Sequence, residues 1–493
     1  MSSESAPLLS KPPPHSPSRT GERPVQALYD LLKPVTLRPG ATFTNWGLSY
    51  TCTPLSVFQP ETEEQCELIL ELARREGKTV RVAGIGHSPS DLACTTDFML
   101  RTDKLDRVLE VNVEKHYIVA QAGVVLSNVH DVLARHGLAM RNLGSISDQT
   151  LAGVVTTATH GSGWEFPVIS MDVLALVLLL ADGTRVRCSR EERPDLFLAS
   201  ICGLGSTGLI LEITLNVEPA FRLRDEQETL PFDDVVDDLD NIARSAEHVR
   251  LWWFPQAGTV RVSRANRTAE PRKPAETWLW HSLVGFHFLQ LLLFLGRYLP
   301  DLNIWTARFA AWLVRDKTVT VDDSHRVFNI DCKYPQYTTE WAIPHEQAAA
   351  CLRELRAWLE RELADPAGLR PHFPVEIRWS APDDIWLSPS NGRRTCWIGL
   401  VQYKPYGLPV PYRRLFAHFE SAVLAHAGRP HWAKTHPLGP AALRASYGAR
   451  FDDFVRALAA ADPRGLFRNA YVLRHVFGRE GPAVDPRLFK ARP

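Results

Sequence analysis

The sequence predicts an α+β fold in at least two domains, on three observations. The chain has 493 residues, more than one average core can organise. Residues 50–217 interleave short β-branched runs with two capped amphipathic helices. Residues 218–412 repeat such a mixture, and residues 413–493 are mainly helical.

In chain order, residues 1–28 read as a disordered tail, rich in Ser and Pro around Pro12-Pro13-Pro14, with order beginning near Tyr29. The tail lacks a signal-peptide core, and with late arginines and Glu4 it makes a poor mitochondrial presequence. A helix opens at Pro60-Glu61-Thr62, where Thr62 and Gln65 form a capping box, and it ends at Gly77. Strands follow at 79–83, 98–101, 107–112 and 117–121, then a helix at 126–135. The run 173–180 is a buried strand, and Asp182-Gly183 turns it into a partner at 184–188. Residues 209–217 alternate like a strand. The second domain is expected to begin with Asp/Glu-rich helical material after residue 218. Strands at 249–254 and 259–262, a helix at 345–363, and strands at 375–379 and 396–403 come next.

Lys plus Arg equals Asp plus Glu, so net charge favours neither nucleic acid nor an acidic substrate. Eight cysteines lie scattered with no C-x-x-C pair, which argues against a zinc site or a disulfide framework and suits a reducing compartment. No metal is expected.

Three groups of residues have the makings of a site. Gly84-Ile85-Gly86 follows a strand, so its backbone N–H groups can face an anion, and His87 comes next. Read locally, that histidine is as well explained as a turn cap. The segments 142–153 and 156–163 are rich in small residues and hydroxyls, which allow close backbone approach and donation to phosphate. Glu376 and Arg378 lie two apart on a strand, so both point to one face. A pair so placed is either a solvated ion pair or a polar grip for hydroxyls and developing negative charge.

Five motifs stand in register: Gly84-Ile85-Gly86-His87-Ser88-Pro89-Ser90, Asn142-Leu143-Gly144-Ser145-Ile146-Ser147, Thr159-His160-Gly161-Ser162-Gly163, Pro374-Val375-Glu376-Ile377-Arg378 and His431-Trp432-Ala433-Lys434. Together they resemble the sugar-1,4-lactone oxidases, aldonolactone oxidoreductases among the vanillyl-alcohol-oxidase-type flavoproteins, from about Thr44 to the C-terminus. The Trp252-Trp253-Phe254-Pro255 stretch looks most like the D-arabinono-1,4-lactone type, with the L-gulonolactone type a near second.

The resemblance implies an FAD-binding domain of the vanillyl-alcohol-oxidase (PCMH) type over 50–217, a substrate or cap domain over 218–412, and a C-terminal segment, 413–493, that completes the flavin site. It implies FAD bonded to His87 and lined by Gly84, Ile85, Gly86, Ser88, Gly144, Ser145, Ser147, Gly153, Thr157 and His160. Glu376, Arg378 and Lys434 are the implied catalytic residues, Lys434 also facing the cofactor. The implied substrate is a sugar lactone, D-arabinono-1,4-lactone first. O2 is the implied acceptor, because Gly144 stands where the dehydrogenase members carry alanine. Dehydrogenase chemistry and a non-catalytic membrane-docked binding protein are the alternatives.

Residues 278–296 contain no Asp, Glu, Lys or Arg. One membrane span here would part the His87 loop from the Lys434 loop. His281, His287 and Gln290 also suit lipid poorly. A helix lying in the membrane interface is expected over 278–314, with Trp278, Trp280, Trp305 and Trp312 at headgroup depth. The other reading is a helix pair buried in the cap. The resulting expectation is an intracellular membrane surface, of the mitochondrial outer membrane or endoplasmic reticulum.

Overall fold

The computed structural model describes residues 23–273, 285–329 and 334–479 and the backbone of Lys490–Ala491. Residues 1–22 of the expected tail, and Trp278 and Trp280, lie outside these.

The first body is built on two sheets. Ser56–Phe58, Phe98–Arg101 and Val80–Ala83 form a small parallel sheet. Arg185–Ser189, Val173–Leu179, Leu209–Asn216, Tyr117–Gln121 and Val108–Asn112 form an antiparallel one. The helix Glu63–Glu76 packs on the parallel sheet. Its capping box is complete, and Gly77 closes it at φ 62, a conformation that suits a residue without Cβ. Order begins earlier than Tyr29. Val25–Leu32 is a helix that buries Leu28 and Leu32 against the core around Leu70, which outweighs the polar composition preceding it.

The second body is an eight-stranded antiparallel sheet. Its order is Thr318–Asp323, Arg222–Pro231, Thr259–Thr268, His248–Phe254, Val375–Ser380, Thr395–Tyr403, Gln336–Pro344, Arg429–Pro430. The acidic stretch after residue 218 is therefore a strand first. Arg222–Pro231 pairs along its whole length with Thr259–Thr268 and over residues 222–227 with Thr318–Asp323, and only then come short helices, Phe232–Asp237 and Leu239–Ala243. Cross-strand partners such as Arg264 for Glu228 carry the charges that suggested a helix.

Strand periodicity gives this sheet two unlike faces. Leu251, Trp253, Val375, Ile377 and Ile398 point one way, into a core capped by the helices His345–Ala364 and Arg413–Ala425. In register with one another on the opposite face stand Ser263, Arg250 and Arg378, with Trp252 and Glu376 one row along. This polar face turns toward the first body. The tail divides between the two bodies. Arg413–Ala425 packs on the large sheet, whereas Leu443, Phe451, Phe454, Leu458 and Tyr471 join the core of the first body.

The greasy segment, as far as it is described, is a helical hairpin, Leu289–Leu295 and Leu302–Leu313. Leu289 and Leu293 pack on Ala307, Ala310 and Phe254. Phe288, Leu291, Leu295, Tyr298, Leu299, Trp305 and Trp312 are exposed. No helix among the described residues is long and apolar enough to cross a membrane.

Candidate active site

Gly84, Ile85, Gly86, His87 and Ser88 run along one wall of a cleft, as the turn leaves the Val80–Ala83 strand. Thr150, Gly153, Thr156 and Thr157 line the same cleft, together with Gly205, Gly208 and Ala433. A methyl on Gly84 would run into the Thr150 hydroxyl, and one on Gly153 would lie 3.0 Å from it. Both glycines therefore let the walls close around Thr150. Gly86 has φ 87, which suits glycine. Thr157 turns its hydroxyl inward to the Gly153 carbonyl at 2.8 Å, so its part in the wall is steric.

His87 stacks on Trp46 with ring centroids 5.4 Å apart. Its Nδ1 is buried and has no partner among the described residues. Burial pushes its pKa down to about 4, so the ring is neutral near pH 7 and Nδ1 or Nε2 keeps a lone pair. Ser90 donates to the Ala433 carbonyl at 2.9 Å, which fastens the C-terminal loop to this wall.

Beyond Ala433 the cleft meets a polar cluster on the large sheet. Arg378 holds Glu340 at 3.0 Å and Glu376 at 3.4 Å. The Lys434 Nζ lies 3.8 Å from the other Glu340 oxygen. Ser145 sits between Arg378 at 3.4 Å and Glu376 at 3.5 Å. Arg250 approaches Glu376 at 4.0 Å. His160 meets Glu340 at 3.1 Å and stacks on Trp397 at 3.8 Å. Gly144 lies beside this group, where an added methyl would come within 3.2 Å of Thr159. The Ser147 hydroxyl is buried without a partner among the described residues.

Glu340, Arg378 and His160 are buried, whereas Glu376 and Lys434 are partly exposed, so the inner charges act in a weakly screening medium. His160, Arg378 and Lys434 hold the Glu340 carboxyl well below the ordinary range despite its burial. Burial, aided by Arg378, lowers His160. Both ring nitrogens of His160 face acceptors, Nε2 the Glu340 carboxylate at 3.1 Å and Nδ1 the Gly161 carbonyl at 2.9 Å. Burial lowers His431 well below its ordinary value, and its Nδ1 accepts the Ala433 N–H. Three cationic side chains thus face two carboxylates, an excess suited to negative charge developing on a bound molecule.

Sequence reasoning missed Glu340, Arg250, Trp397 and Thr150. A signal for Glu340 was present. In Gln336–Pro344 the alternate residues Tyr337, Thr339, Trp341 and Ile343 form one face, and Glu340 is the acid on the other. The fold also draws His160, Glu340 and His431 together, with ligand-capable atoms within 4.8 Å of one another. No spacing in the sequence announced that trio. Arg378 and Lys434 already compensate its carboxylate.

The model of the D-arabinono-1,4-lactone oxidase family matches residues 213–475, which hold Glu340, Glu376, Arg378 and Lys434. The chain belongs to that family. The model of an FAD-binding domain matches residues 54–189, which carry the cleft walls.

An L-gulonolactone oxidase of Scyliorhinus torazame is 37% identical over 89% of this chain and 99% of its own. One of Bos taurus is 38% identical over 88% and 98%. A D-arabinono-1,4-lactone oxidase of Yarrowia lipolytica is 31% identical over 80% and 86%. A crystal structure of cholesterol oxidase from B. sterolicum superposes with a TM-score of 0.74, covering 93% of this chain and 99% of that one, at 14% identity, a likeness of fold.

FAD is the cofactor of this domain, and the cleft fits it. Glycine walls admit close approach of a diphosphate and a planar ring, and the partnerless nitrogen of His87 is buried within the cleft. Bound there, FAD would be held by the 84–88 turn and the 150–157 segment, with Lys434 and Ser145 toward the polar cluster.

Proposed function

We propose that this protein oxidises an aldono-1,4-lactone, D-arabinono-1,4-lactone first, with O2 as the final acceptor and hydrogen peroxide as co-product. The observation that carries this reading is the Glu340–Arg378–Glu376 cluster on the polar face of the large sheet, set against the FAD cleft. FAD, when bound, supplies the redox chemistry, taking two electrons from the substrate and yielding them to oxygen.

The chain's own residues orient the lactone and balance charge. Arg378 and Lys434 offer donors to ring hydroxyls and the lactone carbonyl, and they favour negative charge on the substrate as a hydroxyl proton leaves. Glu340 fixes both cations, so they need no reorganisation during turnover. Glu376 is the more exposed carboxylate, 26% accessible, and is placed to accept a substrate hydroxyl. Trp397 and the buried histidines keep water out of the floor. We assign FAD attachment to His87, on its partnerless Nδ1, its neutral state and the clamp from Trp46. Gly144 carries no methyl beside the site, where a Cβ would press on Thr159 at 3.2 Å, and on that absence we take O2 as the acceptor.

Steady-state rates with D-arabinono-, L-gulono- and L-galactono-1,4-lactone, with peroxide assayed alongside, test this reading. Turnover with stoichiometric peroxide supports it. Fast dye reduction without peroxide would make the protein a dehydrogenase, and a colourless, inactive protein would make it a binding protein.

A second reading concerns the surface. Trp305, Trp312, Leu299 and Tyr298 project from the helical hairpin, beside Tyr406 and Leu408. An aromatic apolar patch of this kind suits the headgroup region of a bilayer. We propose that this hairpin docks the protein on an intracellular membrane. Co-sedimentation with phospholipid vesicles, lost on Trp305→Ser with Trp312→Ser, is the expected result. Equal pelleting of that variant would remove the hairpin from this role.

A further inference from the structure

A cavity of about 510 Å³ lies beside the turn of the helical hairpin and shares no lining residue with the FAD cleft. Arg297 and Pro300 line it from that turn, Leu369 and His372 from the loop before Val375–Ser380, and Arg413 and Arg414 from the start of Arg413–Ala425. Arg297 and Pro300 flank the exposed Tyr298 and Leu299, so the cavity adjoins the apolar patch of the hairpin.

The lining favours an anion. Among the described residues, four arginines line the cavity and no carboxylate does. Arg370 is engaged by the fold. Asp301 takes its Nε at 2.8 Å, and the carbonyls of Glu362 and Asp365 take its Nη groups. Arg297 gives Nε to the Pro409 carbonyl at 3.0 Å, which leaves its Nη groups without a carboxylate among the described residues, as Arg413 and Arg414 also are.

The helix Arg413–Ala425 begins at the cavity with no side-chain cap and no acidic residue in its first turn. The N–H groups of Arg413, Arg414 and Leu415 therefore have no intrahelical acceptor, and such a helix end attracts negative charge. His372 adds an independent donor. Its Nδ1 accepts the Tyr403 N–H at 2.8 Å, and burial keeps the ring neutral, so Nε2 carries the proton. The residue is 3% exposed and lines the cavity, and Nε2 has no partner among the described residues. Leu369, Val410, Pro411 and Leu415 make the rest of the lining apolar. A compact anionic end on an apolar body matches this lining.

We propose that the cavity takes the terminal phosphate of a phosphomonoester lipid, of the phosphatidic acid class, from the membrane on which the hairpin docks. The proposal rests on the docking reading of the hairpin. The phosphate meets Arg413, Arg414 and the helix N-terminus, and the glycerol lies along the apolar lining. The acyl chains leave past Tyr298 and Leu299 into the bilayer. A terminal phosphate enters the cavity unhindered, whereas a choline head group would bring a cation against the arginines.

Co-sedimentation of the full chain tests this with vesicles of phosphatidylcholine alone, and of the same lipid doped with phosphatidylserine or phosphatidic acid to a matched zeta potential. Wild type is expected to partition at least about fivefold more tightly onto phosphatidic acid than onto phosphatidylserine, a margin of about one arginine contact. Arg413→Gln with Arg414→Gln should lose that margin while keeping its binding to phosphatidylcholine and its thermal unfolding midpoint. Equal partition of wild type onto both anionic vesicles overturns the assignment of the cavity and leaves the docking of the hairpin standing. A margin that survives in the double variant overturns it as well. Glycerol 3-phosphate that binds without vesicles as tightly as the lipid would give the cavity to a free phosphomonoester instead. Wild type that pellets with no vesicle removes the docking reading, and this assignment with it.

Discussion

Glu340 and Arg378 meet at 3.0 Å across an intervening strand, on which Gly399 stands opposite Glu340 and Trp397 opposite Arg378. Gly399 stands opposite Glu340 on one side and Glu376 on the other, and the space where its Cβ would be lies 3.7 Å from the Glu340 Cγ. The pair is buried, and its disruption leaves Arg378 with only the longer contact to the more exposed Glu376 and takes the carboxylate from Lys434 as well. Glu340→Ala is expected to lower unfolding stability by about 3–5 kcal/mol, read from denaturant curves of the purified protein. A loss under about 1 kcal/mol would mean that solvent already screens the pair.

Arg378→Ala should retain FAD, because the cleft walls lie elsewhere, and should lower kcat by about 100-fold or more. Near-normal turnover would remove Arg378 from the site.

The assignment at His87 has a simple chemical check. Acid precipitation of the wild type should carry the yellow chromophore into the pellet, while His87→Ala should release it to the supernatant. A coloured pellet from the variant would refute attachment there.

Gly144→Ala introduces a methyl 3.2 Å from the Thr159 Cγ2, so the two must shift apart by a few tenths of an ångström. Reduction by lactone should persist while reoxidation by air slows, as followed by stopped-flow absorbance. Equal slowing of both half-reactions would mean that the glycine serves only the turn.

Acid stability follows from the buried histidines. His372 accepts the Tyr403 N–H on Nδ1 at 2.8 Å, and burial pushes its pKa down to about 3. The unfolded chain, with an ordinary histidine near 6.5, binds the proton first. Stability contributed by the neutral ring is full above that value. It falls as pH drops toward about 3, at roughly 1.4 kcal/mol per pH unit. His372→Gln keeps an acceptor without the titration. Its stability should depend less steeply on pH than the wild type's between about pH 5 and about pH 7. Parallel curves would assign the acid sensitivity to other groups.

What the sequence made legible divides along physical lines. The His87 turn is local: a strand, two glycines and a histidine in one run. Glu376 and Arg378 are equally local, since period two alone puts them on one face. Glu340 and Arg250 depend on sheet register, because their importance comes from standing across Gly399 and opposite Arg378 on strands far apart in the chain. The strand Arg222–Pro231 was hidden by its charges, which its neighbours pair only once the sheet has assembled. In the tail, Lys434 was visible through its motif. That its loop is tied to Ser90 is a property of the fold.

Anaerobic mixing of the purified yellow protein with D-arabinono-1,4-lactone tests the central claim most directly, that the Arg378 cluster presents a lactone to FAD. The account predicts that the lactone bleaches the wild-type chromophore, that admitted air restores the colour with stoichiometric peroxide, and that Arg378→Ala stays yellow under the same conditions. Wild-type protein that keeps its full colour with saturating D-arabinono-, L-gulono- and L-galactono-1,4-lactone would contradict it.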